Sequence, residues 1–456
     1  MDWARIVDAA ERARLGPLLY AIARELPLPE PVVARLRSTW LAFGRQHLFG
    51  VEQLRSLLAA FDRASVPVMP LKGPALGEAL YRDPGLRPFT DLDLLVRRAD
   101  VPRAVRLLST LGYRALEHQR PLAYELADAT AACFVAVAGG SGTLPVDLHW
   151  GLVGFPGGIA PRALDTEEVW GRAVTEERWG RQVLALGRED LVLYLALHLA
   201  IHHPLDGLAW QLDVALLLRR DGAAMDWERA IGRARRWRVA GAFYFALSRV
   251  ERRFAACVPP AVLAALRPRG ARGALLDRLG ARSDRRGRFD HLIPLLLLDR
   301  GADLARGLTA GVLPAPAWVR RRYSTGSALS GYVIHYGRLG RIAAGGARAR
   351  ERPEETTRVD LLVRGLATSA SDPLGVFLLE LALVEDEPVR SPSRESTARP
   401  NSSARRYLRL RYTPGKYVHS CSVLEFHSQE VTGAAHACGN TLPRHLLVAV
   451  LPVEQP

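Results

Sequence analysis

Lysine is almost missing from this chain: of 62 basic residues, two are lysines, Lys72 and Lys416, and 60 are arginines. Cysteine is scarce too. Cys133, Cys257, Cys421 and Cys438 are too few for a disulfide framework in 456 residues. Long apolar runs are absent: Leu191–Ile201, about 11 residues interrupted by His198, falls well short of the ~20 that span a bilayer. Met1–Gly16 lacks the basic start and continuous apolar stretch of a secretory signal. These absences exclude disulfide-stapled and membrane-spanning classes, and the expected compartment is the cytoplasm. With 48% hydrophobic and 24% charged residues, the chain can bury a sizeable core and is neither collagen-like nor disordered throughout.

Positive charge is concentrated. The net charge is +15, and Arg229–Arg350 alone holds 25 arginines against six acids. Such a region can mean a polyanionic partner such as nucleic acid. It can equally be the solvated, arginine-rich surface of helices, a reading the extreme arginine-for-lysine bias supports. The segment Arg233–Arg238, with Trp237 inside it, carries both readings.

Apolar spacing predicts helices over residues 1–62, through Leu18, Leu19, Ile22 and Leu26 and through Leu54, Leu57, Leu58 and Phe61. The period then changes. Val66–Leu71 reads as an extended edge segment, because its prolines cannot sit in a central strand. A turn at Lys72-Gly73-Pro74 leads into a short helix over Ala75–Tyr81, and Asp83-Pro84-Gly85 forms a turn. Asp91–Val96 alternates as a strand, followed by a helix over Val101–Leu111 that Gly112 stops. Ala132–Ala138 and Leu144–Trp150 are strands joined by the hairpin signal Gly139–Gly142. Helical periods return over Leu191–Ile201, Trp210–Leu218, Trp227–Ala246 and Ala261–Leu276. The expected fold is α+β, a small mixed-sheet core flanked by helical regions. Its parts are an N-terminal helical region at 1–62, a core at 63–190 with its strands inside 63–150, a basic helical domain at 191–345 and an atypical tail at 346–456. The tail carries a Ser/Pro/Arg-rich linker at Ser391–Ser403 and only short apolar stretches, Val376–Val384 and Leu446–Val453, so it is expected to be poorly ordered and without a catalytic part.

The sharpest chemical feature is Asp91-Leu92-Asp93. Alternation sends Asp91, Asp93 and Leu95 to one face of the strand. Two carboxylates so placed repel each other unless a cation lies between them, and Mg²⁺ accepts carboxylate oxygens together with substrate phosphates. Without such a role they would be strand-end acids facing Arg97 and Arg98. Upstream, Lys72-Gly73 stands at a strand-to-helix turn, where glycine lets backbone approach a ligand and a helix N-terminus favours anions. Downstream, Val146-Asp147-Leu148-His149-Trp150 adds a third carboxylate, with His149 on its face. Three aspartates from two strands beside a phosphate-facing turn are the constellation of two-metal phosphoryl chemistry.

The stretch Leu-Lys-Gly-Pro-Ala-Leu at 71–76, Asp-Leu-Asp-Leu-Leu-Val at 91–96, Leu-Gly-Tyr at 111–113 and Val-Asp-Leu-His-Trp at 146–150 resembles an uncharacterised bacterial nucleotidyltransferase family of the DNA polymerase beta-like superfamily. The likeness extends over about residues 10–345, taking in His198-x(3)-His202, Trp210-x(2)-Asp213 and the Pro314-Ala315-Pro316…Arg320-Arg321-Arg322-Tyr323 segment. It implies transfer of a nucleoside monophosphate from an NTP to an unknown hydroxyl acceptor (a small molecule, a protein or an RNA) with release of pyrophosphate. It implies two Mg²⁺ ions, or Mn²⁺, held by Asp91, Asp93 and Asp147. Asp147 would also help deprotonate the acceptor, and Gly73 would line the triphosphate. One residue departs from the superfamily turn: Pro74 follows Gly73 and has no N–H to donate. Lys72 can supply the missing positive charge as a compact ammonium. The departure keeps open a catalytically silent nucleotide- or partner-binding protein on the same fold. The oligomeric state is left open by the residues. Asp93→Asn is expected to abolish transfer with the fold intact.

Other candidates carry less. His198 and His202 share a helix face as in zinc peptidases, but Leu199 stands where the glutamate base belongs; helix packing or lining of an acceptor site fits them better. Cys421, His427, His436 and Cys438 match no zinc module by spacing. Gly139–Gly142 lacks the Lys-Ser/Thr pair and following helix of a phosphate loop.

Overall fold

The computed structural model describes residues 3–24, 28–117, 121–137, 143–154, 165–204, 207–254, 258–281, 293–343, 359–364 and 378–383. Three helices open the chain: α1 (Trp3–Arg12), α2 (Gly16–Ala23) and the long α3 (Glu30–Arg63). Then follow β1 (Val68–Pro70), α4 (Pro74–Leu80), β2 (Leu92–Val96), α5 (Val101–Thr110), β3 (Tyr113–Ala115), α6 (Leu122–Asp128), β4 (Ala131–Ala136) and β5 (Val146–His149). A short α7 (Glu167–Trp170) and a hairpin of β6 (Val174–Arg178) and β7 (Arg181–Ala185) lead to the second helical series. Its members are α8 (Arg188–His202), α9 (Leu208–Asp221), α10 (Trp227–Arg236), α11 (Ala240–Phe254), α12 (Pro260–Leu266), α13 (Gly270–Ala281), α14 (Ile293–Leu296), α15 (Gly301–Val312), α16 (Pro316–Tyr323) and α17 (Ala328–Ala343). The fold is α+β, as expected. Among the described residues no helix is long and apolar enough to cross a membrane.

The five-stranded sheet runs β1-β2-β5-β4-β3 and is mixed, since β2 and β5 are parallel and the other neighbours antiparallel. The proline-bearing β1 is an edge strand, where a missing N–H costs no ladder bond. Alternation sorts the two faces. Leu92, Leu94, Val96, Val146 and Leu148 pack with Leu54, Leu57, Leu58 and Phe61 of α3 and with Val101, Ala104 and Leu108 of α5. Met69 and Leu95 belong to the second core, which α1 and α2 share with α8, α9 and α11. The sheet is therefore covered on both faces, and the polar residues of its second face stand at the lip of that core.

Two expected helices are each split. The run Trp227–Ala246 breaks between α10 and α11, where Arg238 takes a left-handed φ of 60° and Val239 N–H closes the turn on Ala234 O at 2.9 Å. No glycine or proline marks that break. The run Ala261–Leu276 breaks after Leu266, where Pro268 and the left-handed Gly270 (φ 63°) interrupt it; that signal was present in the residues. The β6–β7 hairpin was not anticipated either, although Trp179-Gly180, both at positive φ, is the two-residue turn such a pairing requires. In the tail, Val359–Arg364 (β8) pairs antiparallel with Leu378–Leu383 (β9). Gly139–Gly142, the Ser391–Ser403 linker, Leu446–Val453 and the Cys421–Cys438 group lie outside the described residues.

Candidate active site

Parallel pairing of β2 with β5 sets Asp93 beside Asp147, and β4 adds Cys133 in the same row. Asp93 and Asp147 lie on the floor of a cavity of about 880 Å³ lined also by Gly73, Asp91, His149, His198, His202 and Trp210. Lys72, the four predicted acid and glycine positions and the two helical histidines thus all reach one cavity.

Asp93 is the most buried of the three acids, 4% exposed. Its Oδ1 accepts from Lys72 Nζ at 2.9 Å and lies 3.1 Å from His149 Nε2. Burial alone would raise the pKa of this carboxyl; the Lys72 ammonium, and then His149, outweigh burial and hold it well below the usual carboxylate range. Burial by itself would lower Lys72, but the attractions of Asp93, Tyr194 and Asp91 together outweigh it and raise the ammonium's pKa. Its ammonium also lies 5.9 Å from the centre of the Tyr194 ring. Asp91 is different. Burial and then the charges of Asp93 and Asp147, only partly offset by Lys72 and His149, push it up to about 6. That rise is the mark of a floor with more carboxylate than its one ammonium can neutralise.

Those residues fit a divalent metal. Asp93, Asp147 and His149 each offer a ligand atom, and these atoms lie within 4.8 Å of one another. Asp91 stands outside that triplet but close enough to feel both carboxylates. Among the described residues, neither His198 nor His202 joins a metal-binding group. Both line the cavity with ring centres 5.0 Å apart. Burial first, and then the Lys72 charge, lower His198 well below the usual imidazole range and His202 to about 4, so both face the cavity as neutral imidazoles at pH 7.

The turn above the floor is built for glycine. Gly73 has φ 58° and ψ −128°, and a Cβ there would lie 3.3 Å from the carbonyl oxygen of Asp91. Gly73→Ala should therefore cost about 1–3 kcal/mol of stability by denaturant titration; an unchanged midpoint would show that this backbone is not strained by a side chain. Pro74 opens α4 without an N–H, as the sequence implied.

A buried cluster missed in the sequence braces this turn. Arg87 donates from Nε to Asp213 Oδ1 at 3.0 Å and from Nη2 to Asp213 Oδ2 at 2.9 Å, and its Nη1 reaches the Gly73 carbonyl at 3.3 Å. Tyr81 donates its hydroxyl to Asp213 Oδ1 at 2.8 Å. Asp213 arrives from α9, 126 residues after Arg87. On another wall, α16 lays Trp318 edge-on to Tyr124 of α6 at 5.7 Å between ring centres, and Arg321 forms a two-pronged pair with Asp128.

The excess negative charge also fixes a sign. Asp91 holds its proton more tightly when folded than when unfolded, so its favourable contribution is complete below about pH 4 and is lost as pH rises through about 6. Metal-free Asp91→Asn should then melt above the parent at pH 7.5 and with it at pH 4. Added Mg²⁺ should raise the parent's midpoint, and the variant's by less, since the variant keeps Asp93, Asp147 and His149 but lacks the neighbouring carboxylate. Equal midpoints at pH 7.5 would contradict the crowded-carboxylate description.

A small mixed sheet thus sets paired aspartates on the floor of a carboxylate-rich, cation-seeking cavity, an arrangement of the kind that phosphoryl-transfer sites use. The chain belongs to the family described as uncharacterised nucleotidyltransferase, whose model matches residues 1–255. The match holds all of the floor, the glycine turn and the Arg87–Asp213 brace; it ends before α12, whereas the resemblance was expected to reach about residue 345. No curated protein matches. Among solved structures, the chain is similar to the solution structure of the antibiotic-resistance factor ANT(2'')-Ia, at 16% identity and a TM-score of 0.30, covering 44% of this chain and 95% of that one.

Proposed function

We propose that the chain is a divalent-metal-dependent, cytoplasmic nucleotidyltransferase that moves a nucleoside monophosphate from an NTP to a hydroxyl acceptor. The observation that carries this reading is the register pairing of Asp93 with Asp147 on the floor of the cavity, with Asp91 beside them. Asp93 and Asp147 would hold the metal, with Asp91 as the third carboxylate; when bound, Mg²⁺ or Mn²⁺ neutralises phosphate charge and polarises the attacking and leaving oxygens. Lys72 keeps Asp93 ionised and fixed, and His149 orients the same oxygen. The Gly73 turn, braced by Arg87, brings backbone near the triphosphate. The acceptor oxygen bonds to the α-phosphorus, the bond to the bridging oxygen breaks, and pyrophosphate leaves. Asp147, more open to the cavity than Asp93, is placed to take the acceptor's proton. The neutral imidazoles of His198 and His202 line the cavity as acceptor-side hydrogen-bonding groups.

The test is incubation of the full chain with each of the four NTPs labelled at the α-phosphate, Mg²⁺ or Mn²⁺, and cell extract. Label in a new product together with released pyrophosphate is expected. One observation favours a second reading, a nucleotide-binding protein without turnover: Pro74 offers no N–H and Lys72 is committed to Asp93. NTP binding with no pyrophosphate from any of the four would select it.

A further inference from the structure

Among the described residues, three lysine or arginine side chains line the cavity: Arg14, Lys72 and Arg87. Two are committed, Lys72 to Asp93 and Arg87 to both oxygens of Asp213. Arg14 is not. Among the described residues it has no carboxylate partner, and its guanidinium lies 5.2 Å from the centre of the Trp210 ring. That ring is in turn stacked on His203, with centres 3.7 Å apart and planes within 15°. The arginine is thus propped against an aromatic post at the cavity wall by cation–π attraction.

Its backbone is unusual for an arginine. Arg14 closes α1 in a left-handed conformation, φ 60°, with Leu15 N–H on Ala10 O at 2.7 Å and Arg14 N–H on Glu11 O at 2.9 Å. This is the Schellman arrangement, whose left-handed position favours glycine. Ser65, Arg238 and Ser324 also occupy left-handed positions, so the conformation alone assigns no role. Arg14 differs from them in lining the cavity.

We infer that Arg14 is a phosphate clamp, its guanidinium binding the outer phosphates of the NTP from the cavity wall. The inference rests on the nucleotidyl-transfer reading. A guanidinium suits the task because its planar donors pair with two phosphate oxygens at once, and the Trp210 post limits the freedom it loses on binding. The site takes a polyphosphate; the nucleobase is not part of what it reads, so the four NTPs should depend on it alike.

The test uses the full chain and isothermal titration with two probes, Mg²⁺-NTP and Mg²⁺-tripolyphosphate, for the parent, Arg14→Gly and Arg14→Lys. Arg14→Gly should bind both probes about 10- to 100-fold more weakly. It should melt no lower than the parent, because glycine fits the left-handed position. Arg14→Lys should recover part of the affinity. Unchanged tripolyphosphate affinity in Arg14→Gly would overturn the inference while leaving the transferase reading standing. If that variant keeps both affinities but loses transfer, Arg14 serves the acceptor and the clamp is wrong. A parent that binds neither probe would sink the clamp and the nucleotidyl-transfer reading together.

Discussion

Asp93→Asn should remove both activity and several kcal/mol of stability, rather than activity alone. The carboxylate is 4% exposed and is the ion-pair partner of Lys72, whose side chain is 11% exposed. Removing one member of a buried pair costs about 3–5 kcal/mol when nothing else answers the charge left behind; here Asp91 still acts on Lys72, which sets that figure as the upper end. The residues alone lead to loss of transfer with the fold intact; the ion pair with Lys72 adds an expected loss of stability, because the position is an electrostatic anchor as well as a candidate ligand. Lys72→Met/Asp93→Asn should regain most of the stability and none of the transfer. Asp147→Asn is the cleaner probe, because Asp147 is half-open to the cavity and has no ion pair among the described residues. It should lower transfer by at least about 100-fold at a melting midpoint no lower than the parent's. A parent-like midpoint for Asp93→Asn would show that the Lys72 pair does not hold the floor as described.

Asp213→Leu should be comparably damaging without touching the reacting groups. It strands the Arg87 guanidinium, 8% exposed, and deprives the Tyr81 hydroxyl of its acceptor. Loss of the buried pair costs about 3–5 kcal/mol, and the orphaned hydroxyl adds to that. Arg87 also holds the Gly73 carbonyl, so whatever protein remains folded should bind NTP more weakly. Arg87→Met/Asp213→Leu should recover stability beyond the sum of the single changes, a coupling of about 0.5–3 kcal/mol in a double-mutant cycle read by urea unfolding. Strict additivity would mean the two side chains act independently.

The floor of the site was legible because strands carry their faces in their sequence. Asp91-Leu92-Asp93-Leu94 and Val146-Asp147-Leu148-His149 each alternate, and the observed cores take Leu92, Leu94, Val146 and Leu148 while the acids face the cavity. The edge position of β1 was legible in its prolines. The Arg87–Asp213 brace was not, since 126 residues separate its members and only the docking of α9 brings them together. His149 was readable as a neighbour of Asp147 on one strand face, but not as a partner of Asp93 on another strand. Arg14 was hidden for a further reason. In a chain with 60 arginines, nothing marks one at a helix end until the others near the cavity are seen to be paired. In the basic region some arginines are answered within the molecule, Arg267 by Asp277 and Arg272 by Asp299.

The most direct measurement is a crystal structure of the full chain with Mn²⁺ and an NTP whose α–β bridging oxygen is replaced by methylene. Anomalous density for Mn²⁺ against Asp93 and Asp147, with the triphosphate lying along the Gly73 turn, is the predicted result. Nucleotide bound outside the cavity, or a cavity that holds nucleotide with no Mn²⁺ on either aspartate, would contradict it.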